Sequence, residues 1–375
     1  MTPRRRWLLV GVGVCVLALA ATGVVAAVTA GGPARVASQG PVAVPVTPSA
    51  PATASPSPSK HPRRHRHGPR HHKSHTHSPP PPTSTSPYPG GGPLVPASGA
   101  LLGAYVNPPQ YTAADEISAV RTFQDQTGHK LALVHTYHPW TNKFPSPADA
   151  YFADNGQVLL LTWGGTPSTV DVINGRYDAM IRQRAIGLKD LGRPVLLEFR
   201  HEMDRPDLQS AMHSPADYIA AWKHIRAIFT SVGATNVSWV WCPTAWGFAT
   251  GRAEAFYPGN DEVNWICADA YSGNPSEPLS TVIGPFLKWA AAHPKPIVLG
   301  EFGVAGDKSG WASWLGQVGE MVRQHPQIKA LAYFDSTGSV AHGQTLTGDQ
   351  PAVSEFGSLL RQSYFTPPTS AYPES

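Results

Sequence analysis

Residues 194–204 read PVLLEFRHEMD, a short apolar run that gathers charge as it ends. A strand of this length with apolar side chains on both faces has to be covered on both sides, the condition of a strand in a parallel sheet. Its polar residues then collect at the C-terminal end, where β/α folds build their sites. Seven further runs have the same form, at 101–106, 131–137, 157–163, 237–242, 266–271, 296–302 and 328–334. Helical stretches separate most of them. Thr112-Ala-Ala-Asp115 and Ser214-Pro215-Ala-Asp217 read as helix starts, each with a hydroxyl to cap free amides and an acid three residues on. Eight strand–helix units within residues 98–375 predict an α/β fold of (β/α)8 TIM-barrel type, a single catalytic domain. A doubly wound open sheet is the alternative. It is disfavoured because LLGAYVNP at 101–108 has one glycine where a phosphate loop needs several.

The ends of the chain differ in charge. Residues 1–97 hold ten of the 29 Lys and Arg and no Asp or Glu, which leaves 19 basic against 25 acidic residues on 98–375. Phosphate binding needs positive charge on the folded surface, so a mildly acidic domain makes nucleic acid a poor partner and a neutral polymer a better one. Residues 7–30 run 24 residues without a charge behind Arg4-Arg5-Arg6. A cleaved signal has an apolar stretch of about 7–15 residues and a membrane span needs about 20, so 1–30 favours an N-terminal anchor over a cleaved signal peptide. Val28-Thr29-Ala30 is the small-residue site at which cleavage would fall. Either outcome places the remainder outside the cell, secreted or tethered.

Residues 31–97, rich in Pro, Ala, Ser and Thr, predict a disordered linker. Within it KHPRRHRHGPRHHKSHTH at 60–77 sets seven His among six Lys or Arg. Irregular spacing argues against a metal tract, and the positive charge suits contact with anionic cell-wall polymers or a membrane surface. Cys15 lies in the apolar segment, which leaves Cys242 and Cys267 as a disulfide or as two buried thiols.

Three strand ends stand out for their polar residues, the fourth with Glu202, the sixth with Asp269 and the seventh with Glu301. Glu202 follows the fourth run, and Glu301 ends the seventh between Gly300 and Gly303. A glycosidic bond is cleaved by two carboxyl groups, one to protonate the leaving oxygen and one to attack the anomeric carbon or to activate water. Two glutamates across one barrel mouth meet that requirement. The separation that distinguishes retention from inversion is not written in a sequence.

At these residues a resemblance appears. Arg200-His201-Glu202-Met203-Asp204 and Gly300-Glu301-Phe302-Gly303 resemble the acid/base and nucleophile motifs of glycoside hydrolase family 26. Val240-Trp241-Cys242-Pro243, Trp265-Ile-Cys267-Ala-Asp269-Ala-Tyr271 and Ala332-Tyr333-Phe334-Asp335-Ser336 are similar to the fifth, sixth and eighth strands of actinobacterial members. The resemblance implies Glu202 as acid/base and Glu301 as nucleophile of a retaining mechanism. It further implies that His201 and Tyr271 orient Glu301 and that Asp269 lines a sugar subsite. The chain departs from the pattern at Asp204, where Asn is usual, and at Glu198, where the family has arginine. It departs again at Tyr333 or Phe334, in place of a tryptophan.

Glu198 and Arg200, two apart on one strand face, are expected to pair. His135 and His138 end the second run in reach of sugar hydroxyls, and Trp163 and Trp246 are candidates to stack on pyranose rings. Scattered histidines and the absence of an HExxH pattern predict no metal site, and no cofactor is required. The expectation is a monomeric retaining hydrolase of β-linked polysaccharide, mannan first and β-glucan or xylan next. The alternative is a wall-associated carbohydrate-binding barrel that has lost turnover.

Overall fold

The computed structural model describes residues 94–165, 167–337 and 345–368. The anchor or signal at 1–30 and the linker as far as residue 93 lie outside the described residues. Nine parallel strands build the sheet: β1 Leu101–Val106, β2 Leu133–His138, β3 Val158–Trp163, β4 Val195–Phe199, β5 Val237–Trp241, β6 Trp265–Cys267, β7 Ala270–Ser272, β8 Ile297–Val304 and β9 Ile328–Asp335. β1 pairs with both β2 and β9, and β6 pairs with β5 and β8, so the sheet closes on itself. β7 continues the line of β6 along the far half of β8. These two pieces make one stave, and the result is the eight-staved barrel that the eight apolar runs predict.

Helices cover the outside. Both expected starts are present: Thr112 accepts from the Asp115 amide at 3.2 Å and Ser214 from the Asp217 amide at 3.1 Å, capping the helices Ala113–Thr127 and Pro215–Val232.

Strand alternation divides the core in two. Val195, Leu197 and Phe199 point outward to the helices, with Trp163, Trp222 and Ile225. Leu101, Leu133, Val158, Leu160, Leu196, Val240, Trp265 and Val298 fill the barrel. Leu94 packs into that inner cluster with no exposed surface, so it belongs to the folded unit although it lies ahead of the boundary at 98 that composition suggested. A loss of acidic residues marks where charge changes, whereas a domain boundary falls where contacts stop.

The cysteines resolve the alternative left open by sequence. Cys242 and Cys267, on neighbouring staves, are joined as a disulfide inside the barrel.

Candidate active site

On β8 the sequence IVLGEFG would alternate out and in, which puts Glu301 outward with Leu299. A bulge prevents this. Leu299 pairs with Leu331 and Phe302 with Tyr333, so three steps on β8 face two on β9. The extra residue re-aims Glu301 into the mouth, as bulges beside sites do. Gly300 makes the turn possible, since a Cβ there would lie 2.8 Å from oxygens of Glu198 and Asp269.

Glu301 is 5% exposed. The Tyr137 hydroxyl donates to its Oε1 at 2.6 Å, and the Tyr271 hydroxyl donates to Oε2. Burial, and then the charge of Glu202, pushes its carboxyl up to about 7 against the pull of the two tyrosines. Those tyrosines sit on opposite sides of the mouth, on β2 and β7.

Glu202 arrives by a different route. Arg200 and Glu202 both take left-handed backbone, at φ 60° and 54°, a conformation that costs a non-glycine residue of order 1 kcal/mol and that clusters at functional sites. The Glu202 amide donates to the Cys242 carbonyl at 2.7 Å, which pins the loop to β5. Its carboxylate accepts from Arg205 at 2.6 Å, and Arg205 is itself held by Asp207. One oxygen each of Glu202, Asp269 and Glu301 lies within 4.8 Å of the others.

Asp269 stands with the two glutamates, 4% exposed, with Oδ2 lacking a hydrogen-bond partner. Burial, then the charges of Glu301, Glu198 and Glu202, raises its carboxyl well above the usual range. His201 Nε2 lies 3.9 Å from Glu301 Oε1, beyond hydrogen-bond reach, and the donor to that oxygen is Tyr137. Burial and the charges of Arg205 and Arg200 push the His201 imidazole down to about 4.

Other expected positions lie elsewhere. Trp163 is fully buried, stacked on Trp140 at 4.2 Å and donating to the Trp140 carbonyl at 3.0 Å. It offers no open face, which corrects the stacking expectation: the last residue of a strand can point outward as easily as inward. His138 likewise points outward, with Nε2 2.9 Å from buried Asp149. His135 faces inward but below the surface, 2% exposed beneath the Tyr137 ring at 4.3 Å. It does not reach the open cavity. Trp246 is half exposed at the rim, with the Arg252 guanidinium 5.7 Å over its ring.

The expected Glu198–Arg200 pair does not form. Left-handed backbone at Arg200 turns its side chain to the Gly165 carbonyl, while Glu198 stays inside the barrel. Asp204 is fully buried and accepts from the Thr244 amide at 2.9 Å, tying the β4 loop to the β5 loop. On β9 the aromatic at the mouth is Phe334, stacked on Tyr105 at 4.8 Å, whereas Tyr333 is buried on the outer face.

Sequence reasoning missed Tyr137 and Arg205. The signal for Tyr137 was available, since it shares a strand face with His135 at a spacing of two. Nothing local marks Arg205, because its role depends on the turn that carries Glu202.

No protein-family model matches the chain. Endoglucanase H of Acetivibrio thermocellus is 31% identical over 256 residues, which make up 63% of this chain and 28% of that protein. The β-1,3-xylanase TXYA of a Vibrio species is 26% identical over 228 residues, 56% of this chain and 46% of that protein. The chain therefore spans less than half the length of these curated relatives. Among solved structures, a glycoside hydrolase family 26 β-mannanase of Bacteroides ovatus superposes with a TM-score of 0.55 at 15% identity, covering 71% of this chain and 90% of that one. An endo-β-1,4-mannanase variant of Cellulomonas fimi superposes with a TM-score of 0.53 at 15% identity, covering 74% of each chain. At such identities the superpositions establish a common fold. The resemblance read from the motifs is met by family 26 members among the structures that share this barrel.

Proposed function

We propose that the chain is a retaining glycoside hydrolase of β-linked polysaccharide, with Glu301 as nucleophile and Glu202 as acid/base. The observation that carries the reading is the pair of carboxylates across one mouth, with oxygens within 4.8 Å of each other. Retaining pairs stand about 5–5.5 Å apart and inverting pairs about 6.5–9.5 Å, the wider gap leaving room for water.

In the first step Glu202 protonates the glycosidic oxygen as Glu301 attacks the anomeric carbon, and the leaving sugar departs. In the second step Glu202 takes a proton from water, which releases the sugar from Glu301. Tyr137 and Tyr271 hold both Glu301 oxygens, fixing the attack direction and stabilising the carboxylate when it departs again. After burial, the charge of Glu202 is the largest influence raising Glu301, and a proton on Glu202 removes that charge. Asp269, at the same mouth and with a free oxygen, is placed to take a sugar hydroxyl. Trp246 at the rim supplies a stacking face farther along the chain.

β-1,4-Mannan heads the substrates to try, with the folds as its support. β-Glucan and β-1,3-xylan follow, with the curated relatives as theirs. The extracellular setting and the contact of the basic linker with anionic surfaces belong to the same proposal. Incubating the full chain with each polymer and assaying reducing ends tests it: release from one of them, abolished by Glu301→Ala, is the expected result. Retention of polymer without release would instead make the barrel a binding protein.

A further inference from the structure

Beneath Glu301 a chain of hydrogen bonds crosses the barrel, and its protons can be counted. His135 Nδ1 lies 2.9 Å from the Gly300 carbonyl oxygen and 3.3 Å from the Tyr137 hydroxyl oxygen. A carbonyl only accepts, and Tyr137 gives its hydrogen to Glu301. Nδ1 therefore carries a hydrogen. The other ring nitrogen, Nε2, lies 2.7 Å from Thr162 Oγ1, and the same Oγ1 contacts Glu198 Oε2.

Thr162 has one hydrogen and two neighbours. If it donates to Glu198, then Nε2 must donate to Thr162 and the imidazole is a cation. If it donates to Nε2, then Glu198 must carry a proton and donate to Thr162. Both arrangements hold one proton more than a carboxylate beside a neutral imidazole.

The surroundings decide where that proton rests. Glu198 faces Thr162 on β3 and His135 on β2, with the Cys267 sulfur 3.7 Å from Oε1 and the bonded Cys242 beside it. A disulfide offers no hydrogen. Glu301 and Glu202 add negative charge, Asp269 meets Glu198 across Gly300, and the nearby Arg200 is turned away to Gly165. Burial pushes the His135 imidazole down to about 3, whereas burial, then the charges of Glu301 and Glu202 against the Thr162 hydrogen bond, pushes Glu198 up to about 8.

We infer that Glu198 is a positioning residue kept as a neutral acid, donating through Thr162 and His135 to the Gly300 carbonyl and Tyr137 that aim Glu301. One proton stored two side chains away then holds the nucleophile's peptide. Its loss at higher pH leaves a carboxylate under Glu301 and breaks the order of donors. The inference deepens the hydrolase reading and rests on it for its kinetic test alone.

The first test needs no substrate. In histidine-labelled protein, nitrogen NMR should find His135 neutral with its proton on Nδ1 from pH 5 to 7.5; a cationic ring or an Nε2–H tautomer overturns the inference. The second is the pH profile of kcat/KM. Glu198→Gln keeps a donor for Thr162 and cannot ionise, so it should retain activity near pH 6 within roughly tenfold and move the basic limb upward by about a unit or more. Glu198→Ala and Thr162→Val should lose roughly ten- to a hundredfold more than Glu198→Gln, in kcat with KM held. A basic limb unmoved in Glu198→Gln, or a loss in it equal to that of Glu198→Ala with fold intact by circular dichroism, also overturns the inference. If no polymer is cleaved, the hydrolase reading fails and the tautomer still decides this one.

Discussion

The ends of β4 and β8 deliver one glutamate each to the same cavity and hold them in opposite ways. Glu301 rides on a strand re-aimed by a bulge, its side chain 6% exposed and gripped by two tyrosines. Glu202 sits on strained left-handed backbone beyond the strand, with a side chain 14% exposed and an arginine as partner. A group that bonds to one carbon gains from a dry, rigid mount. A group that trades protons with a leaving oxygen and then with water needs access.

The sharpest way to break this comparison is to remove the groups themselves. Glu301→Ala should cost on the order of 10⁴-fold or more, and Glu202→Gln about 10²–10⁴-fold, read as released reducing ends. Azide should restore turnover in Glu301→Ala by filling the vacated space, giving a glycosyl azide of inverted configuration. Equal loss in both variants with no azide product would end the division of roles.

Packing behind the β4 end is the next lever. Trp163, between Trp140 and Phe144 in a fully enclosed site, backs that loop. Trp163→Ala should reduce unfolding free energy by about 3–5 kcal/mol in urea titration. A loss under about 1 kcal/mol would mean that the site collapses without cost.

Grip on Glu301 comes third. Tyr137→Phe and Tyr271→Phe each delete one hydrogen bond to a carboxylate, worth about 1.5–3 kcal/mol, or roughly ten- to a hundredfold in kcat/KM. Since both hydroxyls hold the Glu301 carboxyl down from a higher value, the acidic limb of the profile should move to higher pH. Movement to lower pH would contradict the assignment.

The smallest effect is on stability. Glu301 is raised from 4.5 to about 7 by folding, so its contribution is complete below about pH 4.5 and is lost as pH rises through 7. Glu301→Gln should therefore raise the midpoint of thermal unfolding at pH 8, by the equivalent of about 1–3 kcal/mol, and leave it near wild type at pH 4.5. Equal shifts at both pH values would point to packing instead of charge.

Much of the barrel was legible because burial on both faces forces continuous apolar runs, and all eight staves fall within a few residues of those runs. The split of the sixth stave was not, since Ala268-Asp269 leaves the ladder only to meet the β5 loop at Thr244. His135, singled out by its place at a strand end, and Asp269 and Tyr271, implied by the resemblance, all face inward. Strand-end position failed at Trp163, whose ring faces the helices, and the shared strand face failed at Arg200, where the backbone leaves the strand conformation.

The sequence by itself determined the parallel barrel and the two carboxylates at strand ends, because apolar patterning and the few charged residues within it are local properties. Only the tertiary structure decided which way Glu301 points and what grips it. Those depend on a bulge counted between two strands and on hydroxyls contributed from across the mouth, and neither is a property of any one segment.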